Sequence, residues 1–171
     1  GLDIAIHSGI LPSSSRIAKK IGECEWLLCA SPDYLEKYGT PQQPKDLMNH
    51  RCFIFSFASP WNKWAFIQDG LGVTTPVKPR GSFTQGELLR DMAKSGAGIV
   101  RLADFHIGKD IQEGSLVLLL DEYKAEIREP IYLLYSDRKH LSPRIRVFIE
   151  FFHEKWIAHP WNVVRGLPEA T

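Results

Sequence analysis

The stretch that most constrains this chain is Cys29-Ala-Ser-Pro-Asp-Tyr-Leu-Glu-Lys-Tyr-Gly-Thr-Pro41, continued by Pro44-Lys-Asp-Leu-Met-Asn-His-Arg-Cys52. Glu25 to Ala30 reads as an apolar strand. Ser31 can cap a helix that follows, and Pro32 suits its first position, where a missing N–H costs nothing. Gly39 is expected to stop that helix in the left-handed αL conformation. Pro41 and Pro44 punctuate a turn, Asp46 to Asn49 supply one helical turn, and Arg51 to Phe57 resume an apolar, β-prone run. Strand, helix, turn and strand in that order make a crossover unit.

The rest of the chain repeats the alternation. Strands are predicted at Leu2–Ile6, Glu25–Ala30, Arg51–Phe57, Val77–Arg80, Ile99–Val100, Leu116–Leu120 and Pro130–Tyr135, with helices between them, which is the pattern of an α/β sheet with crossover connections. A helix over Glu87–Ser95 places Leu88, Leu89, Met92 and Ala93 on one face. Thr84 and Glu87 have capping-box spacing before it, and Gly96 follows its end. The last helix starts at Ser142-Pro143 and carries Ile145, Phe148, Ile149, Phe152 and Trp156 at core spacing, widened by Val147 and Phe151. Residues 159–171 lose periodicity and read as an irregular tail.

Charge and motifs exclude several functions. Lys and Arg number 21 against 20 Asp and Glu, so the net charge of +1 lacks the basic excess of an autonomous nucleic-acid-binding domain. Three cysteines with no C-x-x-C pair indicate neither a disulfide framework nor a zinc ribbon, and point to a reducing cytoplasm. No apolar run approaches the ~20 residues that span a bilayer, so no membrane partner is expected. The six histidines form no H-x-x-x-H or H-E-x-x-H, so no metal site is indicated, and no cofactor fingerprint is present. No nucleophile elbow, P-loop or clustered acid and base pair appears, so no catalytic residue is assigned. The one S-x-x-K, Ser136-Asp-Arg-Lys139, reads as a charged surface connection.

Five segments, in order, resemble the effector-binding domain of LysR-type transcriptional regulators. Asp3-Ile-Ala-Ile-His-Ser-Gly9 with Ser13-Ser-Ser15 resembles the family's Asp-Leu-Ala-Ile-Arg-x-Gly strand and the loop after it. The Cys29–Cys52 run resembles the crossing between its two subdomains, and Phe83-Thr-Gln-Gly-Glu-Leu-Leu-Arg90 its helix start. Ser95-Gly-Ala-Gly-Ile-Val-Arg-Leu-Ala-Asp-Phe105 and Leu141-Ser-Pro-Arg-Ile-Arg-Val-Phe-Ile149 complete the set, which spans roughly Asp3 to Phe152. The resemblance implies a two-lobed α/β fold like type 2 periplasmic binding proteins, with the first lobe incomplete. It assigns 1–30 and 136–158 to the first subdomain and 31–135 to the second. It further implies a small-molecule effector held in the cleft between lobes, self-association as a homodimer or tetramer, and DNA contact only through a winged helix-turn-helix upstream of Gly1. The incomplete first lobe is expected to show oligomerisation or poor order. A solute-binding receptor of the same fold, or an enzyme, are the alternatives.

On this resemblance the ligand-binding candidates are His7, Ser8, Gly9, Thr84, Gln85, Gly86, Arg101 and Phe105. The N-terminus of the helix at Thr84-Gln85-Gly86 offers unpaired N–H groups and the positive end of the helix dipole, which favour an anionic effector. Read locally, Thr84 merely caps the helix with Glu87. The loop His7-Ser8-Gly9 follows a strand, and His7 stands where the family commonly has Arg. Gly96-Ala-Gly98 with Arg101 reads either as a cleft element or as a helix-to-strand turn. Phe55, Phe57, Trp61, Trp64 and Phe66 read mostly as core, with Trp61 at a pocket mouth. Buried structural thiols are the expectation for all three cysteines, Cys52 beside Arg51 and His50 being the single one placed to suggest reactivity.

Overall fold

A computed structural model describes residues 3–11, 13, 15–125, 128–135 and 143–157. The Ser136–Lys139 run, the Ser142 helix start and the tail from His159 lie outside the described residues. The chain divides into two compact units, one drawn from Gly1–Glu25 and Arg128–Pro160, the other from Trp26–Ile127.

Among the described residues the first unit has three antiparallel strands and a helix. Strand β1 is Ile4–Ser8, β2 runs Ile17–Ala30 and leaves the unit after Glu25, and β9 is Arg128–Tyr135. Central β9 pairs on one side with β1, Ser8 opposite Ile131, and on the other with β2, Glu25 opposite Arg128. A bulge between Lys20 and Gly22 shifts the register, and Ile21 is buried there. His7 and Ser8 are therefore the last residues of a strand rather than loop residues, and β2 is much longer than Glu25–Ala30. Helix α4, Pro143–Ile157, buries Ile149 but leaves Val147, Phe148 and Phe151 exposed.

In the second unit the end of β2 lies antiparallel to β7, Ile99–Ala103. Strand β7 runs parallel to β3, Cys52–Phe55, and β3 parallel to β6, Pro79–Phe83. A short β8, Val117–Leu118, pairs with β2. Both faces of this sheet are covered, so its strands alternate between two cores rather than between core and water. Leu27, Cys29, Phe53, Phe55, Val100 and Leu102 pack on helices α2, Gly86–Lys94, and α3, Asp104–Gln112. Leu28, Ala30, Cys52 and Ile99 pack instead with Tyr34 of α1, Pro32–Tyr38, and Leu47 of a 3-10 helix, Pro44–Asn49.

The crossover unit forms as its residues dictate. Ser31 accepts the Tyr34 N–H at 3.3 Å with Pro32 at the first helical position. Gly39 does end the helix at positive φ, 81°, but with ψ at 164° it lies outside αL, in a region that is essentially glycine's alone. Other boundaries move. The Arg51–Phe57 strand is shorter and Val77–Arg80 slides to Pro79–Phe83. The strand at Ile99–Val100 runs on to Ala103, and Leu116–Leu120 shrinks to two residues. Leu88 is exposed while Leu89 and Ala93 are buried, so the buried face of α2 is narrower than the expected one.

Among the elements not anticipated are α3 and a hairpin of β4, Trp64–Gln68, with β5, Leu71–Thr75. Asp69 and Gly70 connect the hairpin at φ 51° and 77°, both positive, the mark of a type I′ turn. Trp64 and Phe66 point from it into the core with Leu28 and Tyr34.

Candidate functional site

The parallel strands β6, β3 and β7 end on one edge of the second unit's sheet, at Phe83, Phe55 and Ala103, and Trp26 lies opposite Ala103. Three segments leave that edge: Thr84–Gly86 into α2, Ser56–Lys63, and Asp104–Phe105 opening α3. The Ser56 N–H donates to the Phe83 carbonyl at 2.9 Å, which seats the second segment beside the first. Open α/β sheets bind ligands outside the carboxyl ends of their strands, so this edge is the place to look.

Helix α2 begins differently from the expected capping box. Gln85, not Thr84, is the N-cap, and no side chain caps it. Thr84 and Gln85 are exposed and Gly86 is buried. Helix α3 opens on the same edge, but there the Asp104 carboxylate accepts the Phe105 N–H at 2.8 Å. The α2 terminus thus lacks a side-chain cap, with the Glu87 carboxylate in its first turn. Behind it stands His106. A Cβ built on Gly86 would lie 2.6 Å from the His106 Nε2, so only glycine lets the ring and the helix start meet. Burial pushes the His106 imidazole pKa down, Glu87 opposes this with Nδ1 and Oε1 3.7 Å apart, and Arg90 adds to it.

A buried ion cluster holds α2 on α3. Asp110, fully buried, accepts hydrogen bonds from Arg90 Nε and Nη2, from Lys94 Nζ at 2.6 Å and from Ser115 Oγ at 3.2 Å. Burial alone would raise this carboxyl; the hydrogen bonds from Arg90 and Lys94 outweigh it and hold the pKa down to about 2. Nothing in the spacing of Arg90, Lys94 and Asp110 marked this cluster, because α3 itself was not foreseen.

Arg101 lies inside β7 rather than at its end. Its guanidinium sits 5.7 Å over the Trp26 ring, with Nη1 3.4 Å from the carbonyls of Trp61 and Lys63, so it joins the aromatic segment. Gly96-Ala-Gly98 is structural. The Gly96 and Ala97 N–H groups donate to Ala93 and Met92 carbonyls in a Schellman closure, and a Cβ on Gly98 would lie 2.2 Å from the Arg51 carbonyl oxygen. Phe105 is part-buried, its ring 4.4 Å from that of His106.

In the first unit the Ser8 hydroxyl donates to the Glu129 carboxylate, the Gly9 N–H donates to Pro130 O at 2.9 Å, and the His7 Nε2 lies 2.9 Å from Ile10 O. Glu129 was not singled out from the sequence; its place beside Ser8 depends on the β1–β9 register. Its carboxylate gives this corner acceptors rather than donors.

Over residues 1–157 the sequence matches the family described as LysR substrate binding domain. The chain belongs to the LysR substrate-binding domain family. It is 36% identical over 154 residues to the HTH-type transcriptional regulator CrgA of Neisseria meningitidis, covering 90% of this chain and 51% of CrgA. To the HTH-type transcriptional activator AaeR of Escherichia coli it is 32% identical over 152 residues, covering 87% of this chain and 48% of AaeR. The chain therefore spans about half the length of these relatives. The solved CrgA regulatory domain superposes with a TM-score of 0.84 at 35% identity, covering 91% of this chain and 76% of that one. As in other LysR regulatory domains, the fold is periplasmic-binding-protein-like.

Cys24, Cys29 and Cys52 are buried thiols. Burial pushes the Cys52 thiol up to about 12, and the Cys29 thiol is raised by burial and by Asp110, against the low-pKa thiolate that a reactive cysteine needs. Among the described residues no group of three metal-ligating side chains converges, and no helix is long and apolar enough to cross a membrane.

Proposed function

We propose that this chain is the effector-sensing part of a LysR-type transcriptional regulator, a cytoplasmic homo-oligomer that binds DNA through a winged helix-turn-helix outside this sequence. Its effector is a small anion held at Thr84, Gln85 and Gly86. The observation that carries the reading is the uncapped start of α2, exposed at Thr84 and Gln85, at the carboxyl edge of three parallel strands, in a chain whose relatives are transcriptional regulators. Phe105 borders the same edge, and Arg101 adds positive charge to it. An effector acts only through a difference in affinity between two arrangements of the protein.

The test is Gln85→Asp. An aspartate at this N-cap accepts the free N–H groups itself, which stabilises the helix by roughly 0.5–1 kcal/mol, and it places a negative charge where the effector's would sit. A screen of small carboxylic acids by thermal shift should find ligands that raise the midpoint of the parent chain, while the variant melts higher unliganded and no longer responds. Equal responses from both proteins would move the anion site elsewhere.

A further inference from the structure

Two ionisable groups meet at the start of α2, with opposite consequences for an anion there. Glu87 is the second residue of the helix, and its exposed carboxylate repels what the first-turn N–H groups attract. His106 of α3 lies behind the same turn, its side chain 19% exposed against 69% for Glu87. The ring Nε2 is 2.6 Å from where a Cβ on Gly86 would stand, and its Nδ1 is 3.7 Å from Glu87 Oε1. That second distance is longer than a hydrogen bond, so a neutral ring leaves the carboxylate its full charge, whereas an imidazolium at the same distance attracts it. The charged groups that face the ring are Glu87 and Arg90, both on α2. Arg90 is itself engaged by Asp110, one turn further along α3, which also holds Lys94. Burial favours the neutral ring and Arg90 adds to this, while Glu87 favours the proton.

Protonating His106 changes the charge at this point twice over. It sets a positive charge behind Gly86, and it pairs the Glu87 carboxylate that otherwise opposes an anion. We propose that His106 and Glu87 form a proton switch at the start of α2, which holds an anion tightly when His106 is protonated and weakly when it is neutral. The inference rests on the anion site proposed above and assigns that site a regulation by pH. Proton and anion favour one another, so each raises the affinity for the other by the same factor. The direction is fixed by the sign of the charges. A bound anion holds the imidazolium to higher pH, and anion affinity rises as pH falls through and below the ordinary histidine value of 6.5.

One arm of the test needs no ligand. Gln85→Asp fixes a carboxylate at the N-cap, next to Gly86, and imidazole NMR should place the His106 midpoint about half a pH unit higher in that variant, with His50 unmoved. The His106 signal is assigned by its loss in His106→Gln. In the other arm sulfate, whose charge is constant across this range, is titrated at pH 7.5 and pH 5.0 and followed by the amide shifts of Gly86 and Glu87. The parent chain should bind it about threefold more tightly at the lower pH, the counterpart of half a pH unit on the proton. His106→Gln should abolish that change, and Glu87→Gln, at an exposed position that keeps the fold, should tighten binding at pH 7.5 and shrink the difference between the two pH values. A His106 midpoint that ignores Gln85→Asp, or a pH dependence that survives His106→Gln, overturns the switch and leaves the anion site standing. If sulfate binds at neither pH, the anion site itself falls, and this inference with it.

Discussion

Replacing Asp110 by Asn should destabilise the second unit by a predictable amount and in a pH-dependent way. The carboxylate is fully buried and holds Arg90, Lys94 and Ser115. Lowering its pKa from 3.8 to about 2 corresponds to about 2.5 kcal/mol at ~1.4 kcal/mol per pH unit. Asn keeps the shape and one acceptor oxygen but loses the charge. Arg90 and Lys94 have side chains 31% and 35% exposed and can turn to water, so the loss stays near this figure rather than the ~3–5 kcal/mol of a stranded buried charge. For a chain of this length that is a fall of about 5–10 °C in midpoint. The sign with pH follows from a depressed acid: the stabilisation is complete above the ordinary carboxyl range near 3.8 and is lost as pH falls through about 2. Differential scanning fluorimetry of both proteins from pH 7 to pH 2.5 should show a wide gap at neutral pH that narrows below pH 4. Midpoints within one or two degrees at pH 7, or a gap that does not narrow in acid, would refute the argument that charge-assisted bonds hold α2 on α3.

Gly98→Ala should cost several kcal/mol or prevent folding, since its Cβ would lie 2.2 Å from a backbone oxygen of Arg51, read out by urea denaturation. His106 is held below its ordinary pKa of 6.5 by burial, so folding favours the neutral ring and stability should decline as pH falls through and below 6.5; His106→Gln should flatten that decline. The buried thiols of Cys24, Cys29 and Cys52 should resist iodoacetamide at pH 7.5 in the native chain and react after unfolding, as counted by mass spectrometry. Rapid native labelling of Cys52 would contradict its burial.

Much of the second unit was legible because its signals are local. A serine cap, a proline at the first helical turn and a glycine stop act within a few residues, so the crossover from β2 through α1 formed where the sequence placed it. The Asp69-Gly70 hairpin is equally local in origin, since Asp-Gly between apolar alternations is the strongest short-range hairpin sign. Sequence order also determined the family and the α/β class, because Asp3–Gly9, Phe83–Arg90 and Ser95–Phe105 keep their motifs in line. Tertiary structure alone decided what those motifs do. Whether Thr84 or Gln85 caps α2 depends on where β6 ends against β3. Whether Arg101 faces a helix terminus or the Trp26–Trp61 stack depends on how far β7 extends. Asp110 meets Arg90 and Lys94 through helix packing, and Glu129 reaches Ser8 through strand register. These pairings join residues 16 to 121 positions apart, at distances set by register and packing, which no local propensity encodes.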